Sequence, residues 1–338
     1  MTDKWYQHSG PEGDVVISTR IRLARNIEKF PFPASMTPEQ RTQVEEIFAG
    51  ALQRTDDTLH FRDMQEVSPL EAQSMVERHL ISPEFAACTP GSGLFVNDEE
   101  SVSILINEED HMRLQVMRAG LDLDGAYAAA DELDTRLDTA LHFAFDDRLG
   151  YLTQCPTNLG TGMRASLMLH LPALQERGML PQLANTVSKL GLTIRGLYGE
   201  GSKPEGAIYQ LSNQVTLGIS EQAAIENLKG IAAQIIREER AAREQFQQNP
   251  HYEDRVWRSL GLLRTARLLS QDEFMKLISN VRVGIATGTL EGISLDLVGE
   301  LISDAQPATI MMRAGEEMEP SRRDALRARM VRERLPAI

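Results

Sequence analysis

The residues of this sequence best suited to chemistry are arginines and carboxylates grouped in short motifs. They occur in STRIR at 18–22, in NEEDHMR at 107–113, in CPTNLGTGMR at 155–164 and in RGLYGE at 195–200. A planar guanidinium donates two parallel hydrogen bonds to phosphate oxygens and stays protonated at neutral pH. A carboxylate can orient a cationic acceptor and take a proton from it. This combination suits phosphoryl transfer, which depends on holding the triphosphate and neutralising its developing charge.

Short strands are predicted to present these motifs. Residues 15–19 form a β-branched apolar run typical of a strand, and the alternation that follows places Arg20 and Arg22 on one face. The hairpin predicted around an acidic turn carries the NEEDHMR motif just past its second strand. The hairpin strands are 93–97 and 101–107, strands 151–154 and 163–171 flank the CPTNLGTGMR loop, and strands 192–197 and 207–212 flank the glycine-rich loop 198–206.

Helices are predicted between and after these strands. Thr37-Pro38 and Ser68-Pro69 each combine an N-cap residue with a following proline, which is typical of a helix start. The helical segments are 37–54, 68–79, 126–145, 173–190 and 221–248, followed by further helices from 250 to 335. We therefore predict the α+β class, with an α+β catalytic domain at residues 1–249 and an all-α domain at 250–338.

Composition limits the environment and the partners. The formal net charge is -14, which argues against general affinity for nucleic acid or for an anionic membrane. The sequence has only two cysteines, Cys88 and Cys155, and no apolar run at its start that resembles a signal peptide, so we expect a reducing cytoplasm. No stretch approaches the roughly 20 apolar residues that span a bilayer.

The four motifs together resemble the signature of the phosphagen (guanidino) kinases, which phosphorylate guanidinium nitrogens from ATP. They occur in that family's order, between Ser18 and Glu200. The resemblance implies an antiparallel sheet flanked by helices in the catalytic domain, with ATP and Mg²⁺ as cofactors. The sequence does not indicate which residues contact the metal. Neither a Walker-type GxxxxGK[ST] nor the HRD and DFG elements of protein kinases occur.

The resemblance also implies a set of ATP-binding residues. Five arginines among them would hold the phosphates, and His79 would pack near the adenine or the ribose. Taken alone, each of these arginines would be interpreted as part of a surface ion pair. The full set is Ser18, Thr19, Arg20, Ile21, Arg22, His79, Arg113, Arg164, Ala165, Ser166, Leu167, Met168, Arg195, Gly196, Leu197, Tyr198, Gly199 and Glu200.

Three further residues are implied to act on the acceptor. By resemblance Glu109 is the general base, and Glu200 is its orienting partner on the glycine-rich loop, which we expect to close over substrate. Cys155 matches the family's reactive cysteine, and its thiolate would be favoured by a hydroxyl donor such as Thr157. The alternatives are a solvated acidic turn for Glu109 and a small buried apolar residue for Cys155. Cys88 matches no motif and is expected to be structural.

The two ends of the chain differ from the small-molecule guanidino kinases. Residues 1–17 are too few for the helical domain that covers a small acceptor in those enzymes, so we expect an open acceptor site. Residues 320–335 read PSRRDALRARMVRERL and place six arginines on one helix. Its RDALRA segment offers positive groups for a phosphate and a carboxylate for a guanidinium, which predicts a phosphoarginine site; a solvated basic helix or an inter-subunit seam is the alternative. The predicted set is Arg323, Asp324, Ala325, Leu326, Arg327 and Ala328.

Both differences resemble the bacterial branch of the family that phosphorylates arginine side chains in proteins and marks them for a Clp-type protease. The resemblance implies protein substrates, autophosphorylation, allosteric phosphoarginine binding and a homodimer or higher oligomer. A partner unfoldase or protease and an activator protein are expected with it. Two alternatives stay open: a kinase of small guanidino compounds, and a non-catalytic adaptor that binds phosphoarginine.

Overall fold

The computed structural model describes residues 3–87, 89–196 and 205–336. Within these residues, eight strands form one antiparallel sheet in the order β2-β3-β4-β5-β1-β8-β10-β9. Its strands are β1 (Val16–Arg25), β2 (Leu59–Asp63), β3 (Gly93–Asn97), β4 (Val102–Ile106), β5 (Met112–Ala119), β8 (Met163–His170), β9 (Leu192–Gly196) and β10 (Ile208–Asn213), and a separate small hairpin holds β6 (Phe145–Asp146) and β7 (Gly150–Tyr151).

Helices flank the sheet and continue beyond it. They are α1 (Pro38–Thr55), α2 (Pro69–Glu77), α3 (Leu123–Leu141), α4 (Pro172–Glu176), α5 (Leu180–Lys189), α6 (Glu221–Gln247), α7 (Pro250–Thr265), α8 (Gln271–Ala286), α9 (Leu295–Asp304), α10 (Pro307–Ala314) and α11 (Pro320–Arg334). The predicted α+β class with an antiparallel sheet is confirmed. No helix in the described part of the chain is both long enough and apolar enough to cross a membrane.

The two faces of the central strands differ in chemistry because side chains alternate along a strand. On one face, Ile21 and Leu23 of β1 and Leu167 of β8 are buried against α3 and α6. The residues between them, Arg20 and Arg22, point to the opposite face. The apolar face anchors the sheet in the main core, and the other face is left for polar chemistry.

Helix starts follow the local sequence closely. The Thr37 hydroxyl accepts a hydrogen bond from the Gln40 backbone N–H at 3.3 Å, and the Gln40 side chain accepts one from Thr37 N–H at 2.9 Å. This reciprocal pair satisfies two N–H groups at the start of α1. Ser68 caps α2 by accepting from Glu71 N–H at 3.2 Å. The starts predicted for these two helices are confirmed.

Other predicted boundaries were wrong for local reasons. Helix α3 covers 123–141 instead of 126–145, because Asp122 caps it earlier and His142 ends it in the left-handed region at φ 55°. The helix predicted at 173–190 is two helices, α4 and α5, separated at Gly178 with φ 67°. The strand predicted at 151–154 is only β7, which pairs with β6 alone among the named strands.

The C-terminal helices form a second core that rests on the sheet. Met168 of β8 and Ile208 of β10 pack into the apolar cluster built by α7, α8, α9 and α11. The buried Glu77 carboxylate, at the end of α2, accepts hydrogen bonds of 2.8 Å from the backbone N–H groups of Ala308 and Thr309 at the start of α10. This contact joins α10 to α2. The predicted domain limits, 1–249 and 250–338, stay predictions.

Candidate active site

Strand register brings the predicted arginines to one face of the sheet. Arg22 on β1 is paired with Gln115 on β5 and with Arg164 on β8, and directly opposed residues of antiparallel strands share a face. Arg195 on β9 lies opposite Gln210 on β10. Five arginines from four strands therefore line one pocket of about 240 Å³: Arg20, Arg22, Arg113, Arg164 and Arg195.

These arginines repel one another in the protein. Burial and the neighbouring charges of Arg113 and Arg164 lower the pKa of Arg20 to about 10, and burial with the same neighbours and Arg20 lowers the pKa of Arg22 well below its usual value. Burial, Arg195 and Arg113 lower the pKa of Arg164. A guanidinium nevertheless stays charged at neutral pH. The pocket therefore favours a polyanion that would neutralise these charges.

Few protein acceptors occupy the donors of these arginines. The only partner that the described residues offer to Arg20 is the Ser166 hydroxyl, 3.3 Å from its Nε. Neither Arg22 nor Arg164 has a hydrogen bond or ion pair to a described residue, and the Nε of Arg164 is buried without an acceptor. Donors that lack protein acceptors are available to phosphate oxygens.

Arg113 differs from the other arginines because two carboxylates hold it. Its Nη1 lies 2.5 Å from Glu108 Oε1 and its Nη2 lies 3.2 Å from Glu109 Oε2. The Glu108 side chain is 6% exposed and also accepts from the Ser82 hydroxyl, whereas the Glu109 side chain is 35% exposed. Glu108 thus fixes Arg113, and Glu109 keeps a face toward the adjoining groove.

The turn that carries both carboxylates is cross-linked on all sides. Asn107, with φ 59°, donates from Nδ2 to the carbonyls of Arg41 and Gly91 at 2.9 and 2.6 Å. The buried Asp110 carboxylate accepts from Asn26 Nδ2 at 2.7 Å and from Gln154 N–H at 2.8 Å, and burial raises its pKa. These bonds fix Glu109 relative to the loop that follows Gln154.

His111 completes this scaffold as a neutral ring. Its Nδ1 accepts a hydrogen bond from Ile27 N–H at 2.9 Å, so the proton resides on Nε2, which donates to Pro31 O at 2.8 Å. Burial lowers the pKa of His111, which is consistent with that neutral form. The histidine of the motif thus positions the turn and does not face the arginines.

The loop after Gln154 brings Cys155 toward the same centre. The Cys155 Sγ is 3.0 Å from the Thr157 hydroxyl, as predicted, and the thiol is free. Asn158 Nδ2 approaches Glu109 Oε2 at 3.4 Å. The loop thus places an amide beside Glu109 and the thiol near enough to Arg164 to act on its charge.

His79 lies at the end of α2, where the arginine pocket meets a second, more apolar pocket. It has φ 62°, and Gln115 Nε2 donates to its carbonyl at 2.5 Å. Burial and the charge of Arg20 lower the pKa of His79 to about 4, so its ring is neutral at pH 7. Predicted residues Ser18 and Met168 line the second pocket together with the N-terminal segment and α9.

Some predicted residues do not reach this face with their side chains. Thr19, Ile21, Ala165 and Leu167 point into the core, so they can contribute to the site only through their backbone. Gly196 ends β9, beside Arg195. The predicted residues Leu197, Tyr198, Gly199 and Glu200 lie outside the described residues, as does Cys88.

The predicted phosphoarginine element has a different arrangement from the one expected. Arg327 is fully buried, and its guanidinium donates to Ala305 O at 2.8 Å, to Leu269 O at 2.7 Å and to Asp324 Oδ1 at 2.6 Å. Its Nε and Nη1 are thus engaged within the protein, whereas its Nη2 is buried without an acceptor, and ligand binding by Arg327 stays a prediction.

The rest of the element is only partly available. Ala328 is buried in the helical core, and Asp324 is engaged by Arg327. Ala325 and Leu326 are half-buried. Arg323 is half-buried as well, with a buried Nε that has no acceptor in the structure. Two arginines of this segment therefore each keep a buried donor without an acceptor, Nε of Arg323 and Nη2 of Arg327.

The structure adds site residues that sequence reasoning missed. Gln115, Gln210 and Ser212 line the arginine pocket, and Glu108 pairs with Arg113. The alternation of Arg113 and Gln115 with Leu114 and Val116 could have identified strand β5 and its polar face. No comparable local signal marks Glu108, because its role depends on Ser82.

Comparisons with known proteins agree with this geometry. The family model of the ATP:guanido phosphotransferase C-terminal catalytic domain matches residues 40–242, and the model of the protein-arginine kinase McsB C-terminal domain matches residues 249–338. The protein-arginine kinase of Caldanaerobacter subterraneus subsp. tengcongensis is 44% identical over 324 residues, covering 94% of this chain and 96% of that relative. The protein-arginine kinase of Halothermothrix orenii is 43% identical and covers 98% and 96%.

Solved structures show the same catalytic fold. The duplicated taurocyamine kinase from Schistosoma mansoni superposes with a TM-score of 0.64 at 28% identity, covering 71% of this chain and 36% of that longer chain. A lombricine kinase superposes with a TM-score of 0.61 at 27% identity, covering 69% and 68%. The chain therefore belongs to the ATP:guanido phosphotransferase family and, within it, to the protein-arginine kinases.

Proposed function

We propose that this protein transfers the γ-phosphoryl group of ATP to arginine side chains of other proteins, with Mg²⁺ as the cofactor. The observation that carries the proposal is the face of five arginines beside Glu109. Arg22 and Arg164, whose donors lack acceptors among the described residues, suit the phosphates, and a half-exposed carboxylate at their edge suits a cationic acceptor. The curated relatives are named protein-arginine kinases, which supports arginine in proteins as the acceptor.

The nucleotide would lie across the two pockets that share His79. Its phosphates would rest on the arginine face, and its base would extend toward Ser18 and Met168, where apolar side chains predominate. The neutral His79 ring at the junction would contact the base or the ribose. This orientation points the γ-phosphate away from the apolar pocket and toward Arg113 and Glu109.

The acceptor must lose a proton, because a guanidinium holds its protons up to a pKa above about 12. In our proposal one guanidinium nitrogen attacks the γ-phosphorus, the N–P bond forms, and the bond from phosphorus to the β,γ-bridging oxygen breaks to release ADP. Glu109 accepts the proton that leaves this nitrogen. Glu200, which lies outside the described residues, is proposed to orient the guanidinium, and Cys155 to tune the reaction.

A Mg²⁺ site made of side chains alone is absent from the described part of the chain. The described residues contain no group of three or more His, Cys, Asp or Glu side chains that could hold a metal ion. In our proposal, phosphate oxygens and water supply most of the ligands, which is usual for Mg²⁺ bound with a nucleotide. When bound, Mg²⁺ supplies neutralisation of the phosphate charge.

The acceptor side is open enough for a protein. A groove of about 520 Å³ adjoins Glu109 and is lined from α1, from the segment after α2 and from the NEEDHMR turn. Arg41 borders it and is held by Pro33 O at 2.7 Å and Thr89 Oγ1 at 3.0 Å. A groove bordered by such fixed side chains can accept the chain that carries an arginine.

We also propose wider roles that follow from the protein-arginine kinase branch. They are a cytoplasmic location, autophosphorylation, marking of substrates for a Clp-type protease, dependence on an activator protein and assembly as a homodimer or higher oligomer. Allosteric phosphoarginine binding is proposed at residues 323–328. The match of residues 249–338 to the C-terminal domain model and the two buried donors without an acceptor, Nε of Arg323 and Nη2 of Arg327, support that site.

The test is a comparison of acceptors. Purified protein with Mg²⁺ and ATP is given an arginine-rich protein such as casein, free arginine or creatine, and ADP release is measured with each. We expect turnover with the protein and little with the free compounds. Robust turnover of free arginine would favour a small-molecule kinase, a candidate kept because the structural neighbours are kinases of taurocyamine and lombricine. Phosphoarginine binding without turnover of any acceptor would indicate an adaptor.

A further inference from the structure

Among the described residues, two side chains line both the arginine pocket and the groove beside Glu109, here called the acceptor groove. Arg113 and Glu84 each line both cavities. Phosphoryl transfer takes place where the nucleotide meets the acceptor, so residues shared by the two cavities border the transfer point. Arg113 is already neutralised by Glu108 and Glu109, which leaves Glu84 as the other charged group at this junction.

The Glu84 carboxylate lacks a partner among the residues that the structure describes. It is exposed, and no hydrogen bond or ion pair joins its side chain to any described residue. Glu108, by contrast, forms an ion pair with Arg113 and accepts a hydrogen bond from Ser82. A carboxylate at the junction repels the γ-phosphate and attracts a guanidinium, since unlike charges at a few ångströms favour each other.

The segment that carries Glu84 is held firmly. The Ser82 hydroxyl accepts from Phe85 N–H at 3.2 Å and donates to Glu108, and Ala86 N–H donates to Ser82 O at 3.2 Å. The Phe85 side chain is buried at 3% exposure. The turn that presents Glu84 is thus tied to the same carboxylate that fixes Arg113, so Glu84 has a defined position relative to the catalytic turn.

We propose that Glu84 determines acceptor recognition by pairing with the guanidinium of the incoming arginine at the mouth of the site. The role rests on the proposed function and deepens it, because it names the group that admits a cationic acceptor. Glu84 acts on binding, whereas Glu109 acts on the proton. An incoming arginine approaches the positive charges of Arg20, Arg22 and Arg164 on the sheet, and Glu84 offsets part of that repulsion.

The test uses Glu84→Gln and a peptide with a single arginine between neutral residues. We expect the KM for this peptide to rise about threefold to tenfold, as for loss of one partly desolvated ion pair. We expect kcat to stay within about twofold and the KM for ATP to stay unchanged. Raising the salt concentration should shrink the difference from wild type, because exposed charges are screened. The matched control is Glu46→Gln, an exposed carboxylate on α1 that lines neither cavity.

The outcomes separate the two proposals. Equal peptide KM values for Glu84→Gln, Glu46→Gln and wild type would overturn the role of Glu84 and leave the proposed function standing. A changed KM for ATP with an unchanged peptide KM would assign Glu84 to the nucleotide and overturn its role as well. A wild-type protein that leaves arginine unmodified in the same assay would overturn the proposed function and this role with it.

Discussion

Arginine has opposite roles on the sheet and on helix α11. On the sheet, Arg22 and Arg164 have no partner among the described residues and repel their neighbours. On α11, Arg327 is buried with its charge offset by Asp324 and two backbone carbonyls. The comparison teaches that the count of arginines in a segment does not indicate ligand binding. Donors that the protein itself engages, such as Nε and Nη1 of Arg327, hold the fold together, whereas donors without an acceptor are available to a ligand.

The largest expected effect comes from removing an arginine on the sheet. We expect Arg22→Ala to lower kcat/KM by about 10²–10³, as for loss of a preorganised charge that stabilises the transition state. Its thermal midpoint should not fall, because folding places Arg22 among like charges. The control is Arg329→Ala, an exposed arginine on α11. A large loss of stability in Arg22→Ala would contradict the contrast between the two regions.

Two glutamates, one beside the sheet arginines and one near α11, test the same contrast. We expect Glu109→Gln to lower kcat by at least about 10² with nucleotide affinity retained, because the amide keeps the shape but cannot accept the proton. Glu316→Gln, which weakens an exposed pair with Arg322 near α11, should leave activity unchanged. Rates measured by ADP release and nucleotide titration separate the two effects. Activity of Glu109→Gln within a few-fold of wild type would remove Glu109 as the base.

Replacement of Arg327 tests the structural role of the buried arginine on α11. We expect Arg327→Met to lower the free energy of unfolding by about 2–3 kcal/mol, because it leaves Leu269 O and Ala305 O without their donor. Denaturant titration of the variant and of Arg329→Ala measures the difference. An unchanged unfolding midpoint with lost phosphoarginine binding would return Arg327 to a ligand-binding role.

The smallest expected effect is a pH dependence where strand β8 of the sheet meets helix α8. His170 is fully buried, its Nε2 is 2.8 Å from Ser279 Oγ, and burial with Arg282 and Arg243 holds its pKa well below the usual value. The unfolded chain takes up this proton below about pH 6.5 and the folded chain does not, so stability is present above that pH and falls as the pH drops.

Melting at several pH values measures that effect. Between pH 7 and pH 5 we expect His170 to account for about 1–2 kcal/mol of lost stability. His170→Asn should show a smaller fall than wild type over the same range, because asparagine does not titrate. An equal loss of stability in the two proteins would show that a protonated His170 is tolerated beside Arg243 and Arg282.

The sequence predicted what depends on neighbouring residues. The alternation of β1 placed Arg20 and Arg22 on one face, and the caps at Thr37 and Ser68 marked two helix starts, because both rules act over a few residues. The burial of Arg327 could not be predicted, since its carbonyl partners lie 58 and 22 residues away along the chain.

The same limit applies inside the candidate site. Glu108 and Glu109 are adjacent and chemically alike, so sequence alone does not separate the buried one from the half-exposed one. The distinction arises from Ser82, 26 residues earlier, which holds Glu108 beside Arg113. The family motif identified the turn. Tertiary contacts determine which of its two glutamates is buried and which is half-exposed.

Direct detection of the product tests the central claim most sharply. Wild-type protein and Glu109→Gln are incubated with ATP, Mg²⁺ and an arginine-containing protein, and tryptic peptides are analysed by mass spectrometry under non-acidic conditions. We predict acid-labile phosphate on arginine with wild type and almost none with Glu109→Gln. Phosphate confined to serine, threonine or tyrosine, or equal phosphoarginine from both proteins, would contradict the account.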